Sequence, residues 1–320
     1  MNRRASSRTA GPVSGPPDQD WPPAVKKPLR GQVALVAGAT RGAGRAIAVC
    51  LGLAGATVYA TGRSVRGRPA TPGRPETIEE TAELIRSYGG QAHGLRVDHT
   101  HEAEVRRLLG GIRRRERGRL DILVNDIWGG EELTEWGRPP WTMTYRLGQT
   151  MVERGVLSHI LTSRYAVPLM VKRKRGIVFE VTDGDHQHYR GSLFYDLVKT
   201  CVIRLALAHH EEFVEAGLPH LSAVAVTPGF LRSEYMLDQF GVSEENWRDA
   251  IPKSRHFFAS ETPYFLGRAV VALAADRRVH AKSGKVYGTW TLAKEYGFTD
   301  RDGTRPDWGK VFYGEILRED

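Results

Sequence analysis

From Gly31 onward the chain alternates short apolar runs with longer amphipathic stretches, and this alternation constrains the fold more than any other feature. The short runs predict strands at Val33–Ala37, Thr57–Thr61, Ala92–Val97, Asp121–Val124, Ile177–Val181, Ser222–Val226 and Lys285–Tyr287. The longer stretches predict helices at Ala43–Ala54, Thr77–Tyr88, Glu102–Arg115, Tyr145–Val171, Phe194–Glu215 and Pro263–Ala275. We therefore expect an α/β fold with a doubly wound parallel sheet of about seven strands, and a ligand at the carboxyl ends of the strands.

Two segments of the chain differ in composition. Residues 1–30 contain six of the 17 prolines, six basic residues and two acidic residues, without a periodic apolar pattern. This composition predicts a disordered, basic, Pro-rich leader, and its prolines oppose the long amphipathic helix of an organelle transit peptide. Residues 31–320 show no repeat and no linker, so they are expected to form a single domain.

Composition excludes several classes of protein. No apolar stretch approaches the roughly 18 residues that a membrane span needs, and two cysteines cannot form a disulfide framework. The net charge is +9, but the basic runs fall at predicted helix ends without interleaved aromatic residues, so we expect no nucleic-acid partner. A cytoplasmic protein that acts on a small molecule is the expectation.

A glycine-rich turn follows the first predicted strand. Gly38, Gly42 and Gly44 stand between that strand and the first helix. Glycines at this place allow a tight turn and a close approach of the backbone to a pyrophosphate, which the helix N-terminus attracts. The turn predicts a dinucleotide site of Rossmann type, and a glycine turn without a ligand is the alternative.

The end of the second strand bears on the choice of dinucleotide. An NAD site would place an acidic residue there, on the ribose hydroxyls. This chain has Arg63, and Arg41 in the glycine turn offers a second cation. Because a guanidinium can bind a 2′-phosphate in a bidentate manner, the sequence favours NADP(H) over NAD(H), unless Arg63 is only a solvated loop residue.

Five short motifs, in order, resemble the short-chain dehydrogenase/reductase (SDR) family, in a subgroup similar to its member-1 type. They are the glycine turn, Asp98 after the third strand, Asp121–Asn125, Tyr195-Asp-Leu-Val-Lys199, and Pro228-Gly229 with Ser233 beyond it. The resemblance implies that Asp98 contacts adenine and that Asn125 belongs to the cofactor site. It also implies that Lys199 binds the nicotinamide ribose and that the segment with Pro228, Gly229 and Ser233 runs beside the nicotinamide. A homodimer or homotetramer is a further implication of the resemblance.

The chain departs from the family pattern at three places. The usual glycine after the fourth strand is Trp128, and Thr182 stands thirteen residues before the tyrosine, where the family has its catalytic serine. The helix asparagine of many members has no counterpart, because Val152 is at its expected position. His159 further along that helix either holds a water or is a structural histidine.

The chemistry follows from the Tyr195–Lys199 spacing. Residues four apart in a helix share one face, so the Lys199 ammonium is expected to lower the pKa of the Tyr195 phenol. Tyr195 can then act as general acid in ketone reduction and as general base in alcohol oxidation. The Thr182 hydroxyl is expected to orient the substrate oxygen.

Two segments are expected to hold the substrate, at residues 128–150 and 231–262. The first contains Trp128, Trp136, Trp141 and Tyr145, which either contact an apolar or ring-containing substrate or pack the insertion onto the domain. Asp183 is a further substrate candidate. We expect no metal at Asp183, Asp185, His186 and His188, because neighbouring side chains on one loop rarely converge on an ion.

Together these features predict an NADP(H)-dependent oxidoreductase that reduces a carbonyl or oxidises the alcohol. One alternative is a catalytically silent protein that binds NADP(H) as a sensor or scaffold, which the departures at Trp128 and Thr182 favour. Another is an enzyme that acts on a C=C bond or epimerises a sugar. The sequence names neither the substrate nor the direction of the reaction.

Overall fold

A computed structural model describes residues 27–185 and 188–316 of the chain. Seven parallel strands form one sheet in the order β3-β2-β1-β4-β5-β6-β7. The strands are β1 (Val33–Ala37), β2 (Thr57–Gly62), β3 (Gln91–Arg96), β4 (Ile122–Asn125), β5 (Gly176–Val181), β6 (Leu221–Thr227) and β7 (Val286–Gly288). This order reverses direction between β1 and β4, which is where a doubly wound sheet opens a crevice for its ligand. The predicted fold class, a single Rossmann-type domain, is confirmed.

Helices cover both faces of the sheet. They are α1 (Gly42–Leu53), α2 (Ile78–Ser87), α3 (Glu102–Arg115), α4 (Tyr145–Val152), α5 (Ser158–Arg173), α6 (Leu193–Glu215), α7 (Glu234–Phe240), α8 (Pro263–Ala275), α9 (Thr289–Tyr296) and α10 (Trp308–Val311). One apolar core lies between the sheet and α1, α2 and α8, and a second lies between the sheet and α3, α5 and α6. Burial on both faces explains why the central strands are continuous apolar runs. No helix in the described ranges is both long and apolar enough to cross a membrane.

The predicted helix Tyr145–Val171 is divided in the structure. A π-helical turn at Glu153–Leu157 separates α4 from α5. Such a turn widens the backbone by one residue and often lies beside a functional site. Three short helices, α7, α9 and α10, were not predicted, because each has fewer than nine residues and too little periodicity to read.

The boundary of the leader needs correction. Residues 1–26 lie outside the described residues, but Leu29 is fully buried in the first core. Its backbone N–H donates a hydrogen bond of 2.9 Å to the Ala54 carbonyl. The folded part therefore includes residues before Gly31, because one apolar side chain within a polar segment can anchor it to the core.

Candidate active site

A cavity of about 810 Å³ opens at the carboxyl ends of the strands and brings most of the predicted site residues together. The predicted residues that line it are Gly38, Arg41, Gly42, Arg63, Asp98, Trp128, Thr182, Asp183, Tyr195, Lys199, Pro228, Gly229 and Ser233. Gly44 and Asn125 are not among the residues at its wall. Both predicted substrate segments contribute to the cavity, through Trp128 and Trp136 in the first and Ser233 and Tyr235 in the second.

The glycine turn fits a dinucleotide because it leaves no space for side chains. Gly38 has a φ of +95°, and a Cβ on it would lie 2.2 Å from the Asp126 carbonyl oxygen. A Cβ on Gly44 would lie 2.3 Å from the Gly38 carbonyl oxygen. Since only glycine allows this backbone packing, α1 can begin at the cavity wall with its N–H groups directed at a ligand.

The N-terminus of α1 already binds a carboxylate of the protein itself. The Gly42 N–H donates a hydrogen bond of 2.8 Å to Oε2 of Glu234, at the start of α7. This carboxylate stands where the helix would bind a phosphate oxygen. Ser233 is the N-cap of α7 and accepts a hydrogen bond of 3.3 Å from the Met236 N–H, so the segment after β6 reaches the cofactor end of the cavity.

Arg63 and Asp98 lie together at the edge of the cavity beyond β2 and β3. Burial and the nearby Arg154 charge lower the pKa of Arg63, so its guanidinium is partly removed from water. Burial opposes ionisation of Asp98, but hydrogen bonds from Thr100 and the Arg63 charge outweigh it and lower the Asp98 pKa. An ionised acid and a desolvated cation at this edge suit a nucleotide with polar groups on its ribose.

Arg41 is held more tightly by the protein than Arg63. Its guanidinium donates to the Thr71 hydroxyl at 2.7 Å and to Glu76 at 3.4 Å. Glu76 also pairs with Arg74. Arg41 is therefore partly neutralised, and Arg63 is the better candidate for an incoming phosphate.

Tyr195 and Lys199 lie on the face of α6 that borders the cavity, as their spacing predicts. The Lys199 ammonium lies 4.3 Å from the centroid of the Trp128 ring and 5.5 Å from that of the Tyr195 ring. Trp128 thus packs against the lysine in a cation–π contact rather than blocking the cavity. Burial lowers the pKa of Lys199, while the charges of Asp183, Asp126 and Glu131 raise it.

Asp183, and not Thr182, faces the Tyr195 hydroxyl. The Tyr195 hydroxyl donates a hydrogen bond of 2.8 Å to Oδ2 of Asp183. The Thr182 hydroxyl donates instead to the Lys199 backbone carbonyl at 2.7 Å, and Thr182 is buried. This geometry does not support the expectation that Thr182 orients the substrate, although Thr182 also lines the cavity.

The expected effect of Lys199 on Tyr195 also needs correction. The pKa of Tyr195 is raised well above its usual 10, first by burial and then by the charge and hydrogen bond of Asp183. A phenol that donates to a carboxylate is stabilised in its protonated form. Burial and Asp183 therefore make the Tyr195 proton harder to remove than that of a free tyrosine.

The Asn125 side chain makes its hydrogen bonds in the core and does not line the cavity. Its side-chain amide donates to Glu180 at 2.8 Å and to the Ser163 hydroxyl at 3.1 Å, and it is fully buried. His159 joins the same network, with Nδ1 2.7 Å from Glu180 and Nε2 3.0 Å from the Ile127 carbonyl oxygen. The Asn125 side chain is therefore held within the core, and His159 is a buried structural residue that holds the chain after β4.

Two acidic residues of the site were missed. Asp126 follows β4, and burial raises its pKa to about 7, although the Lys199 charge opposes this. Glu131 lines the cavity, and its charge raises the pKa of both Tyr195 and Lys199. Their sequence signal was the unusual stretch after Asn125, but only the fold places these acids beside Lys199.

A buried glutamate supports the loop that follows β6. Oε2 of Glu261 accepts hydrogen bonds from the Gly229 N–H at 3.0 Å and from the Thr289 hydroxyl at 2.6 Å. Burial raises its pKa to about 8. Glu261 therefore carries a proton at neutral pH and fixes Gly229 at the cavity wall without placing a charge there.

The C-terminal segment completes the cavity with aromatic rings. Trp308, Phe312 and Tyr313 line it together with Phe230 and residues of both predicted substrate segments. By contrast, Trp141 and Tyr145 are exposed, so only part of the aromatic insertion faces the cavity. No sequence signal pointed to residues 308–313, because their contact with the loop after β6 is made only by the fold.

No group of three or more potential ligands for a metal ion occurs in the parts of the chain that the structure describes. His186 lies outside the described residues. Asp185 is instead hydrogen-bonded to the Tyr313 hydroxyl.

A Rossmann-type sheet with a glycine cradle, and a tyrosine–lysine pair in the same cavity, defines a class of nicotinamide-dependent oxidoreductases. Comparisons with known proteins identify the family. The family model of short chain dehydrogenase matches residues 32–240. The chain belongs to the short-chain dehydrogenase/reductase family, as the sequence motifs indicated, and is an NAD(P)-dependent oxidoreductase.

Individual relatives and structures agree with this assignment. Dehydrogenase/reductase SDR family member 1 is 33% identical over 280 residues in both mouse and human, covering 86% of this chain and 85% of those proteins. A structure of a short-chain dehydrogenase/reductase from Burkholderia xenovorans has a TM-score of 0.65 at 23% identity, covering 82% of this chain and 95% of that one. A 7α-hydroxysteroid dehydrogenase, complexed with NADH and 7-oxo glycochenodeoxycholic acid, has a TM-score of 0.63 at 20% identity, covering 87% and 96%. These two similarities concern the fold alone.

Proposed function

We propose that the protein is an NADP(H)-dependent oxidoreductase that reduces a carbonyl group, or oxidises the alcohol, with Tyr195 as the general acid and base. The observation that carries this proposal is that Tyr195 and Lys199 line the same cavity as the glycine turn. Gly38, Gly42 and Gly44 would let the dinucleotide backbone approach α1. Lys199 would bind the nicotinamide ribose, and Gly229, fixed by Glu261, would border the nicotinamide.

The preference for NADP(H) is supported by Arg63. No acidic residue replaces it at the end of β2, and its guanidinium is partly desolvated. A relative from Mycobacterium tuberculosis that is 33% identical over 259 residues, covering 78% of this chain and 90% of that protein, is named an uncharacterized NAD-dependent oxidoreductase. The cofactor preference of this chain therefore has to be measured directly.

Proton transfer is the part of the reaction that the chain itself supplies. The nicotinamide, when bound, supplies or accepts the hydride. Tyr195 holds its proton until a substrate atom displaces Asp183 from its hydroxyl, and it then donates that proton to the substrate. The Lys199 ammonium stabilises the resulting phenolate, and the aromatic wall limits the access of water.

We assign Asp183 the place that serine has in the family, because it is the side chain that bonds the Tyr195 hydroxyl. Thr182 acts indirectly, through its hydrogen bond to the Lys199 carbonyl. A catalytically silent sensor is not favoured, because both Tyr195 and Lys199 border the cavity.

The decisive experiment is a screen of NADPH oxidation over ketones, quinones and aldehydes, with Tyr195→Phe as the matched variant. We expect turnover by the wild type and a loss of about 10²-fold or more in the variant, since one general acid contributes roughly 10²–10⁴-fold. NADPH binding should persist in both proteins. If the wild type binds NADPH but turns over none of the compounds in the screen, the silent sensor is the better description.

We further propose that the protein forms a homodimer or homotetramer through α5 and α6. Several large apolar side chains on or beside these helices are exposed, namely Leu157, Ile160, Leu193, Leu197 and Val214. Such a concentration of exposed apolar residues is typical of an interface. Light scattering after size-exclusion chromatography tests this, and Leu197→Asp should shift the protein toward the monomer.

A further inference from the structure

The residue beside the proton donor of this site is a carboxylate. Oδ2 of Asp183 accepts the 2.8 Å hydrogen bond from the Tyr195 hydroxyl, whereas the Thr182 hydroxyl is engaged with the Lys199 carbonyl. The substrate atom that receives the Tyr195 proton must therefore approach a carboxylate, and not a neutral hydroxyl.

This arrangement has an electrostatic consequence for the reacting bond. When a C=O bond is reduced, negative charge develops on the oxygen, and a carboxylate at hydrogen-bond distance opposes that charge. When a C=N bond is reduced, the nitrogen is protonated and positive before hydride arrives. The same carboxylate then forms a charge-assisted hydrogen bond with it.

A second carboxylate and two aromatic rings extend this environment. Glu131 also lines the cavity, and its charge acts on both Tyr195 and Lys199. The centroids of the Trp136 and Trp128 rings lie 4.9 and 5.6 Å from that of Tyr195. The Trp128 ring already contacts the Lys199 ammonium, so Trp136 and the carboxylates form the setting for an organic cation.

The nearest cations offset these acids only in part. Arg190 donates to the backbone carbonyl of Asp183 at 2.7 Å and pairs with the Asp196 carboxylate at 2.8 Å. Its charge still acts on Tyr195 and Lys199 and lowers the pKa of both, against the acids that raise them. The charges of three acidic groups, Asp183, Asp126 and Glu131, act on the single Lys199 ammonium and raise its pKa. The substrate end of the cavity therefore favours a positive ligand.

We propose that this site has a further activity, the reduction of a protonated C=N bond, and that it prefers an imine to a ketone of the same shape. This inference rests on the cofactor and the Tyr195 role proposed above. The nitrogen of the neutral imine takes the proton from Tyr195 and becomes the iminium, hydride from the reduced nicotinamide then forms the new C–H bond at carbon, and the C=N π electrons become the nitrogen lone pair. The imine is reduced to an amine, the nicotinamide is oxidised, and solvent returns a proton to Tyr195.

The test compares dihydroisoquinoline, a cyclic imine, with tetralone, a ketone on the same bicyclic frame, using NADPH at neutral pH. We expect kcat/KM for the imine to exceed that for the ketone by about tenfold or more, the ratio that one charge-assisted contact can provide. Asp183→Ser should lower the imine value at least about tenfold and raise the ketone value. Asp183→Asn, which keeps the shape, should lower the imine value similarly.

A matched pair of neighbouring glutamates supplies the control. Glu131→Gln removes a carboxylate that lines the cavity, whereas Glu132→Gln removes one that is exposed and outside it. The first should weaken the imine preference and the second should leave it unchanged. A readout without turnover is the quenching of tryptophan emission by tetrahydroisoquinoline, a cation at neutral pH, against neutral tetralol. The cation should bind more tightly to the wild type, and Asp183→Asn should remove the difference.

The outcomes separate this inference from the proposed function. A wild type that reduces the ketone as fast as the imine, or an imine-to-ketone ratio unchanged by Asp183→Ser, overturns the inference. Turnover of ketones that depends on Tyr195 would still leave the proposed function in place. Reduction of neither compound overturns the inference too, and the broader screen with Tyr195→Phe then decides the proposed function independently.

Discussion

Arg63 provides the sharpest test of how the chain selects its cofactor. It follows β2, lines the cavity and lies near Asp98, the acid expected at the adenine end. Its guanidinium is half-buried, and this burial removes part of its hydration and lowers its pKa. A 2′-phosphate would restore the missing interactions of a charged group, whereas the ribose hydroxyl of NADH would restore few of them.

The expected magnitude follows from the loss of one charge-assisted contact. Replacing Arg63 with alanine removes a hydrogen bond to a charged group, which contributes about 1.5–3 kcal/mol. Since 1.4 kcal/mol corresponds to a tenfold change, the Kd for NADPH should rise about 10- to 150-fold. The Kd for NADH should change by less than about threefold, because that cofactor lacks the phosphate.

The assay is a titration of the protein with each reduced cofactor, followed by energy transfer from tryptophan to the nicotinamide. Arg66→Ala is the matched control, since Arg66 lies three residues further on, is exposed, pairs with Glu83 and is not among the residues at the cavity wall. It should leave both Kd values unchanged. Equal affinities of the wild type for NADPH and NADH, or an Arg63→Ala effect of the same size on both, would refute the assignment.

Three further changes test other parts of the site. Glu234→Gln should tighten NADPH binding several-fold in the same titration, because its carboxylate bonds the Gly42 N–H where a phosphate would bind; weaker binding would contradict this role. The pKa of Glu261 is raised from 4.5 to about 8, so its contribution to stability is complete below about pH 4.5 and is lost as pH rises through 8. The melting temperature of Glu261→Gln should therefore fall less between pH 5 and 9 than that of the wild type, and parallel curves would exclude this linkage. Thr182→Val should lower the free energy of unfolding by about 1 kcal/mol and leave kcat within about tenfold. A loss of 10²-fold or more would return the substrate-orienting role to Thr182.

The fold was readable from the sequence because its signals are local and repeated. Each central strand is buried on both faces and therefore appears as an unbroken apolar run, and each long helix carries a periodic face. The β1 strand matches its predicted limits, Val33–Ala37. The divided helix was not readable, since the π-helical turn at Glu153–Leu157 changes the hydrogen-bond register without interrupting the pattern of residue types.

The cofactor end of the site was predictable, whereas the substrate end was predictable only in outline. Gly38 and Gly44 are required by backbone contacts within a short segment, so their role is visible in the sequence. The choice between Thr182 and Asp183 depends on the loop between β5 and α6, whose length decides which side chain meets Tyr195. The spacing back from the tyrosine points to Thr182, whereas the Tyr195 hydroxyl bonds the next residue, Asp183.

Asp183 also bears on proton transfer by Tyr195. The sequence places the Lys199 ammonium beside Tyr195 and therefore predicts a lowered pKa. In the structure, burial and the Asp183 carboxylate outweigh that ammonium, and the Tyr195 pKa is raised. Each unit of such a shift makes the phenolate harder to form by about 1.4 kcal/mol, both when Tyr195 gives its proton to a substrate and when it must first lose that proton to act as a base. An imine that becomes a cation when it takes the Tyr195 proton offsets the Asp183 charge. The residue that raises the Tyr195 pKa therefore favours a substrate whose atom next to Tyr195 gains positive charge as it takes the proton.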